Sequence, residues 1–189
     1  MITAVLPATQ LTRHEHDSAL LAKVLQPYRL NCRYLISATV NAEGEPRDGG
    51  RVSAACDFYI PESCYIDDTG HFNSVEFNIC YNQMLYYLVA KSVDAGLMLP
   101  FAAWTMGDYW RRQLADFLIA DFHSTFKRPI RGHRFRGEIE VVGIAEWEGS
   151  DIRRPMTVVD TTCRYWDDHG GRCHGEVKVA VTSPPESGS

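Results

Sequence analysis

From Asn73 to about Val93 the chain carries one long helical pattern in which almost no face is left for water. At about 100° per residue, Val75, Ile79, Asn82, Tyr86 and Val89 fall on one stripe, and Glu76, Cys80, Gln83 and Tyr87 fall on the next. A helix that is apolar nearly all round has to be buried. The Glu, Asn and Gln residues within it then need partners, because an unpaired polar group in a core costs roughly 2–7 kcal/mol. The turn signal DDTG precedes the run, and Asp94, Ala95 and Gly96 close it. Few folds bury one helix on most of its sides, so the rest of the chain has to supply the wrapping.

That remainder reads mostly as strands. Asp17 is placed to cap a short amphipathic helix through Leu20, Leu21, Val24 and Leu25, which Pro27 stops. Cys32–Val40 and Arg51–Ile60 are rich in strand formers, and the intervening NAEGEPRDGG predicts an exposed hairpin turn. After a second short helix near Asp108–Asp116 come four candidate strands, Phe117–Lys127, Phe135–Trp147, Met156–Trp166 and Arg172–Thr182. This order predicts an α+β chain in which a curved antiparallel sheet wraps around one long central helix, the hot-dog architecture. A helix wrapped in this way leaves one side for a second copy, so a homo-oligomer, at least a dimer, is expected. Residues 1–13 show no clear period and the chain ends in TSPPESGS, so both ends are expected to be loose. The expected organisation is one domain over 1–182 with a disordered tail over 183–189.

Composition narrows the function. Across 189 residues, 19 Lys and Arg stand against 24 Asp and Glu, a net charge of -5 that argues against broad attraction to nucleic acid. The apolar stretch Val75–Ala90 is broken by Glu76, Asn78, Asn82 and Gln83 and is too short to span a bilayer. The N-terminus lacks the basic start and apolar core of a secretory signal, so a cytoplasmic location is expected. Six cysteines without a C-x-x-C pair read as reduced thiols. His14 with His16, and Cys173–His174 near His169, lack a complete zinc spacing, and neither a Gly-rich phosphate loop nor a G-x-S-x-G elbow occurs. No metal or other cofactor is expected.

The informative stretch is Tyr65–Tyr87, which packs a His, a Glu, a Gln, three Asn and four Tyr around a turn that enters the core helix. Gly70 permits close backbone approach, and the first helical turn offers unpaired N–H groups at a positive dipole end, a place for a developing oxyanion. His71 and Glu76 flank this start. They either move protons, or His71 caps the turn and Glu76 satisfies the helix N-terminus. Asn73 is either an ordinary N-cap or a hydrogen-bond donor to a carbonyl. Asn82 sits in an apolar stripe, where an amide has a reason to be only if it bonds a carbonyl or a water. Tyr28, Tyr65 and Tyr86 either orient a reactant or are core residues with satisfied hydroxyls. The run KRPIRGHRFR, with Lys127, Arg128, Arg131, Arg134 and Arg136, is either a solvated loop or a dock for the phosphates of CoA or of a carrier protein's phosphopantetheine.

The string ESCYIDDTGHFNSVEFNICYNQ, with LQPY and CRYLIS upstream, resembles the FcoT-type hot-dog family of acyl thioesterases over about Leu20 to Thr182. The resemblance implies action on long acyl thioesters. For members in isonitrile-lipopeptide pathways it implies addition of glycine to the β-carbon of an enoyl group on acyl carrier protein, followed by release of the acid. By motif position it also implies that Tyr28, Tyr65, Asn73, Asn82 and Tyr86 are the family's polar site residues. The mechanism then expected places the thioester carbonyl near Gly70–Asn73, with His71 or Glu76 as the proton carrier and Asn82 and a tyrosine holding the hydrolytic water. A plain acyl-CoA thioesterase, an enoyl hydratase and a non-catalytic acyl-binding module are the alternatives.

Overall fold

The computed structural model describes residues 11–44, 50–67, 69–131, 133–149 and 155–182. The expected tail over 183–189 lies outside them, as do residues 1–10. In chain order the elements are strand β1 (Leu11–His14), helix α1 (Ser18–Val24), strands β2 (Leu35–Glu43) and β3 (Arg51–Tyr59), and helix α2 (Ser74–Ala95). Helix α3 (Met106–Arg112) and strands β4 (Phe117–Arg128), β5 (Arg134–Trp147), β6 (Met156–Trp166) and β7 (Arg172–Thr182) follow. The strands form one antiparallel sheet in the order β1-β2-β3-β5-β6-β7-β4.

Alternation decides which face of the sheet meets α2. Val52, Ala54, Cys56 and Phe58 of β3, Phe135, Ile139 and Val141 of β5, and Cys173, Val177, Val179 and Val181 of β7 are buried. Their neighbours point outward, where cross-strand ion pairs such as Arg51–Glu140, Arg164–Glu138 and Lys178–Asp160 cover the convex face. α2 lies on the concave side. From Gln83 to Ala90 every one of its residues is buried, beneath the sheet on one side and α1 and α3 on the other. Its polar residues are paired as burial demands. Gln83, fully buried, accepts the backbone N–H groups of Tyr34 and Leu35 at 3.0 and 2.9 Å and donates to Cys32 O at 2.6 Å.

Three expectations need correction. Residues 11–13, expected to be loose, belong to an edge strand, Leu11–His14, paired with β2. With three residues exposed and His14 half-buried, the segment shows no period of its own, and β2 supplies the hydrogen bonds that straighten it. Residues 32–34, expected to begin a strand, are the end of a short 3-10 turn, Leu30–Cys32, and two irregular residues before β2. The face of α2 is also less uniformly covered than its composition predicts: Val75 is 43% exposed, and Asn78, Ile79 and Asn82 are half-buried, leaving an open stripe along its first turns.

An aromatic cluster fixes the start of α2. Phe72 packs on Phe77, Phe135 and Tyr165 with ring centroids 4.7–6.0 Å apart, and Phe58 stacks on Phe135. Gly137 makes room for it: a Cβ there would lie 2.7 Å from the Phe58 ring and 2.9 Å from that of Tyr165.

Candidate active site

The first turn of α2 is closed by a capping box. Asn73 Oδ1 accepts from the backbone N–H groups of Val75 and Glu76 at 3.0 and 3.2 Å, while Glu76 Oε2 accepts from Asn73 N at 3.2 Å. A third donor reaches the same oxygen, the Tyr65 hydroxyl, at 2.8 Å. Three donors on Oδ1 fix the orientation of the amide, so Nδ2 is the other atom. It is buried and has no hydrogen-bond partner among the described residues. Asn73 is therefore both an N-cap and a carrier of two unused N–H bonds at the positive end of the helix.

The surrounding loops come from three parts of the chain. Gly70 takes φ 73°, which a side chain resists, and turns the loop into the helix. His71 is exposed, and its Nδ1 lies 3.0 Å from Thr69 O; since a carbonyl only accepts, Nδ1 donates, and Nε2 is the ring nitrogen left open. Phe72 N donates to Ile130 O at 2.8 Å, which brings the middle of the basic run against the helix entrance. Asp167, buried in the β6–β7 turn, accepts from Arg131 N at 3.1 Å, His169 N at 2.9 Å and Gly171 N at 2.7 Å. A cavity of about 50 Å³ lies behind the entrance, lined in part by Ser63, Gly70, His71, Glu76, Arg131 and His133. A pantetheine arm does not fit within it. Outside it, Tyr65, Ile66, Val75, Asn78, Ile79 and Asn82 form an open apolar and amide-bearing surface.

The expected residues fall into three groups. Tyr65, Gly70, His71, Asn73 and Glu76 meet at the helix entrance. Asn82 lies nine residues further along, roughly 14 Å at 1.5 Å per residue, and donates to Asn78 O and Asn78 Oδ1 at 3.1 and 2.7 Å. Tyr86 is roughly 20 Å from Asn73 by the same rise and neighbours Tyr28. Burial is the main cause pushing the Tyr28 hydroxyl's pKa up, with Tyr86 adding to it, and burial alone raises that of Tyr86. Both phenols therefore act at neutral pH as hydrogen-bond donors, not as bases. In one chain, then, Asn82, Tyr28 and Tyr86 do not meet at Asn73.

The basic residues divide as well. Arg136 pairs with Asp168, and the Arg134 guanidinium lies 4.4 Å over the Tyr59 ring. Lys127, Arg128, Arg131 and Arg134 have no ion-pair partner among the described residues, and Lys127 joins Arg164, Trp166 and Arg172 in an open groove of about 680 Å³. Arg131, an exposed residue, lines the rim of the small cavity instead. Ser63, His133 and Asp167 escape a reading of the sequence. Ser63 sits just before the Tyr65 motif and His133 within the basic run, so position alone marks them, while Asp167 is joined to the entrance only by folding.

Among the described residues no helix is long and apolar enough to cross a membrane. The family model described as FcoT-like thioesterase domain matches residues 23–181. A (2E)-enoyl-[ACP] glycyltransferase of Streptomyces coeruleorubidus is 52% identical over 172 residues, covering 89% of this chain and 99% of that protein. A protein of the same name from Mycobacterium marinum is 36% identical over 176 residues, covering 88% and 86%. Among solved structures, a thioesterase family protein from Silicibacter pomeroyi aligns at 16% identity and TM-score 0.44, over 87% of this chain and 99% of that one. The architecture rests on the strand order and the buried helix; the sequence matches carry the kinship, and the chain belongs to the FcoT-like thioesterase domain family.

Proposed function

We propose that this enzyme adds glycine to the β-carbon of a (2E)-enoyl thioester on acyl carrier protein and then hydrolyses the thioester, releasing a β-(carboxymethylamino) fatty acid. The names of the relatives, at 52% and 36% identity over most of the chain, support the substrate and reaction class. The observation that carries the chemistry is the unpaired Asn73 Nδ2 at the start of α2. An N–H donor beside a helix N-terminus stabilises an enolate oxygen more than the carbonyl it comes from, which lowers the barrier instead of merely binding substrate.

The steps then balance as follows. Glycine's ammonium gives a proton to His71 Nε2, and the freed amine forms a C–N bond to the β-carbon. The C=C electrons move to the thioester oxygen, held by Asn73 with Tyr65 keeping the amide in place. The His71 imidazolium returns the proton to the α-carbon. Water next attacks the same carbonyl, and the carrier thiol leaves with a proton. Glu76 is held by the backbone N–H of Asn73, so it shapes the helix start and the local field, while His71 with its open Nε2 suits the proton carrier better.

A second copy of the chain covering the Val75–Ile79–Asn82 stripe would enclose the acyl chain against α2 and bring Asn82, Tyr28 and Tyr86 to a substrate longer than the entrance. Lys127, Arg128 and Arg134 serve as the dock for the phosphopantetheine phosphate and an acidic carrier. Incubating enoyl-carrier protein with and without glycine and reading product mass tests the reading. The glycine adduct of the free acid is expected; a 3-hydroxy acid or the unchanged enoic acid as the sole product, glycine present, overturns it in favour of a hydratase or a plain thioesterase. Intact thioester after hours overturns it in favour of a binding module.

A further inference from the structure

The cavity behind the helix entrance is the wrong size for the thioester and the right size for the other reactant. Its volume of about 50 Å³ is several times the roughly 10–15 Å³ that a single water needs in a cavity, and far below the roughly 300–1,000 Å³ of sites that hold drug-sized ligands. Its lining carries both signs, the Arg131 guanidinium on one side and the Glu62 and Glu76 carboxylates on the other, with the hydrogen-bonding rings of His71 and His133 alongside. Glu76 is 5% exposed, and the Ser63 hydroxyl is a buried atom with no hydrogen-bond partner among the described residues. His133 is fixed by donation from Nδ1 to Ile60 O at 2.7 Å. Buried polar groups without partners are rare in folded proteins and mark places that a ligand or water completes.

The geometry points to this cavity as the glycine site: Arg131 and the Ser63 hydroxyl hold the carboxylate, and Glu76 draws the ammonium toward His71 at the mouth. This assignment rests on the glycine-adding reading of the entrance. A guanidinium fork matches a carboxylate in two parallel hydrogen bonds, and a small zwitterion satisfies both signs of the lining at once. The oriented amine then lies beside the histidine that takes its proton and close to the Asn73 amide that holds the carbonyl. Ile60, Phe72 and Phe135, each 7% exposed or less, form the apolar wall, and the two phenylalanine rings are held in place by the aromatic cluster. The chain therefore selects glycine over larger amino acids by volume, and Arg131 belongs to the small reactant, apart from Lys127, Arg128 and Arg134 on the carrier side.

Two-substrate kinetics on the full-length protein test the assignment, with glycine and enoyl-carrier protein varied in turn. Arg131→Gln is expected to raise the glycine KM roughly tenfold or more, the loss of one charge-assisted contact, and Ser63→Ala to raise it several-fold. Arg134→Gln is expected to raise the carrier-substrate KM and leave the glycine KM in place. Alanine in place of glycine is expected to lose roughly 10–200-fold in kcat/KM, the usual discrimination against one added carbon. A glycine KM unmoved by Arg131→Gln, a change confined to the carrier substrate, or alanine reacting as well as glycine overturns the site. Wild-type protein that forms no adduct overturns the underlying reaction instead. In that case titration of ¹³C-glycine followed by NMR still decides the cavity, with line broadening by wild type that Arg131→Gln abolishes supporting it and equal behaviour of the two overturning it.

Discussion

The Tyr65 hydroxyl donates to Asn73 Oδ1 at 2.8 Å, the same oxygen that caps α2, so the side chain that begins the helix is also clamped from a loop eight residues upstream. The helix cap and the proposed carbonyl donor are two ends of one amide, and substitutions separate them. Asn73→Asp keeps an N-cap acceptor and is expected to hold stability within about 0.5 kcal/mol. It also replaces the N–H donor with a negative oxygen, and kcat is expected to fall roughly 100-fold or more. Asn73→Ala is expected to lose both about 1 kcal/mol and the activity. Urea unfolding alongside kcat distinguishes the cases, and an active Asn73→Asp enzyme removes Asn73 from the chemistry.

Gln83 ties α2 to the entry of β2 through three hydrogen bonds to backbone groups in the core. Gln83→Leu keeps most of the volume but strands two N–H groups and one carbonyl. A loss of about 2–4 kcal/mol is expected by denaturant titration, far more than a volume-conserving swap between apolar residues would cost.

Asp167 buttresses the rim of the α2 entrance from a distant hairpin. Its carboxylate holds Arg131 N, the neighbouring Ile130 O receives Phe72 N, and Gly171 packs so closely that a Cβ would lie 2.5 Å from Pro129 O. Asp167→Ala is expected to cost roughly 3 kcal/mol and Gly171→Ala about 1–3 kcal/mol. Burial by itself would raise the Asp167 pKa, but the N–H donors of Gly171, Arg131 and His169, aided by the His169 side chain, hold it below the usual carboxylate range. A depressed folded pKa means the stabilisation is present above the unfolded value of about 3.9 and is lost as pH falls through the folded one. The wild type is expected to lose stability between pH 4 and lower values more steeply than Asp167→Asn, measured by urea midpoints across that range.

Burial raises the pKa of the Tyr28, Tyr34, Tyr81, Tyr109 and Tyr165 hydroxyls. For an acid with a raised folded pKa, stability is complete below the unfolded value of about 10 and declines above it, because the unfolded chain releases the proton first. The share of tyrosinate absorbance that comes from these five side chains is therefore expected to rise together with loss of circular dichroism above pH 10, in one cooperative step. Full tyrosinate signal with an intact fold would contradict the burial of these side chains.

Much of this protein is written locally. The all-round apolar run from Asn73, the N-cap residues Asp17 and Asn73, and the alternation in Met156–Trp166 and Arg172–Thr182 fix elements whose hydrogen bonds and periods are set by near neighbours. The string around Tyr65–Asn82 names the family, because rare residue types in fixed order survive in sequence whatever the fold does with them. Strand β1 was hidden, since an edge strand of outward residues takes its shape from its partner. The site was legible only as a list. Tertiary structure decides that Tyr65, His71 and Asn73 share a corner while Asn82, Tyr28 and Tyr86 lie further along α2, because a helix spreads its residues at 1.5 Å each. It also decides that Ser63, Arg131 and His133 close one small cavity, and that Asp167, some ninety residues from Asn73, holds its wall. Proximity between distant segments is set by sheet register and core packing, which no local pattern encodes.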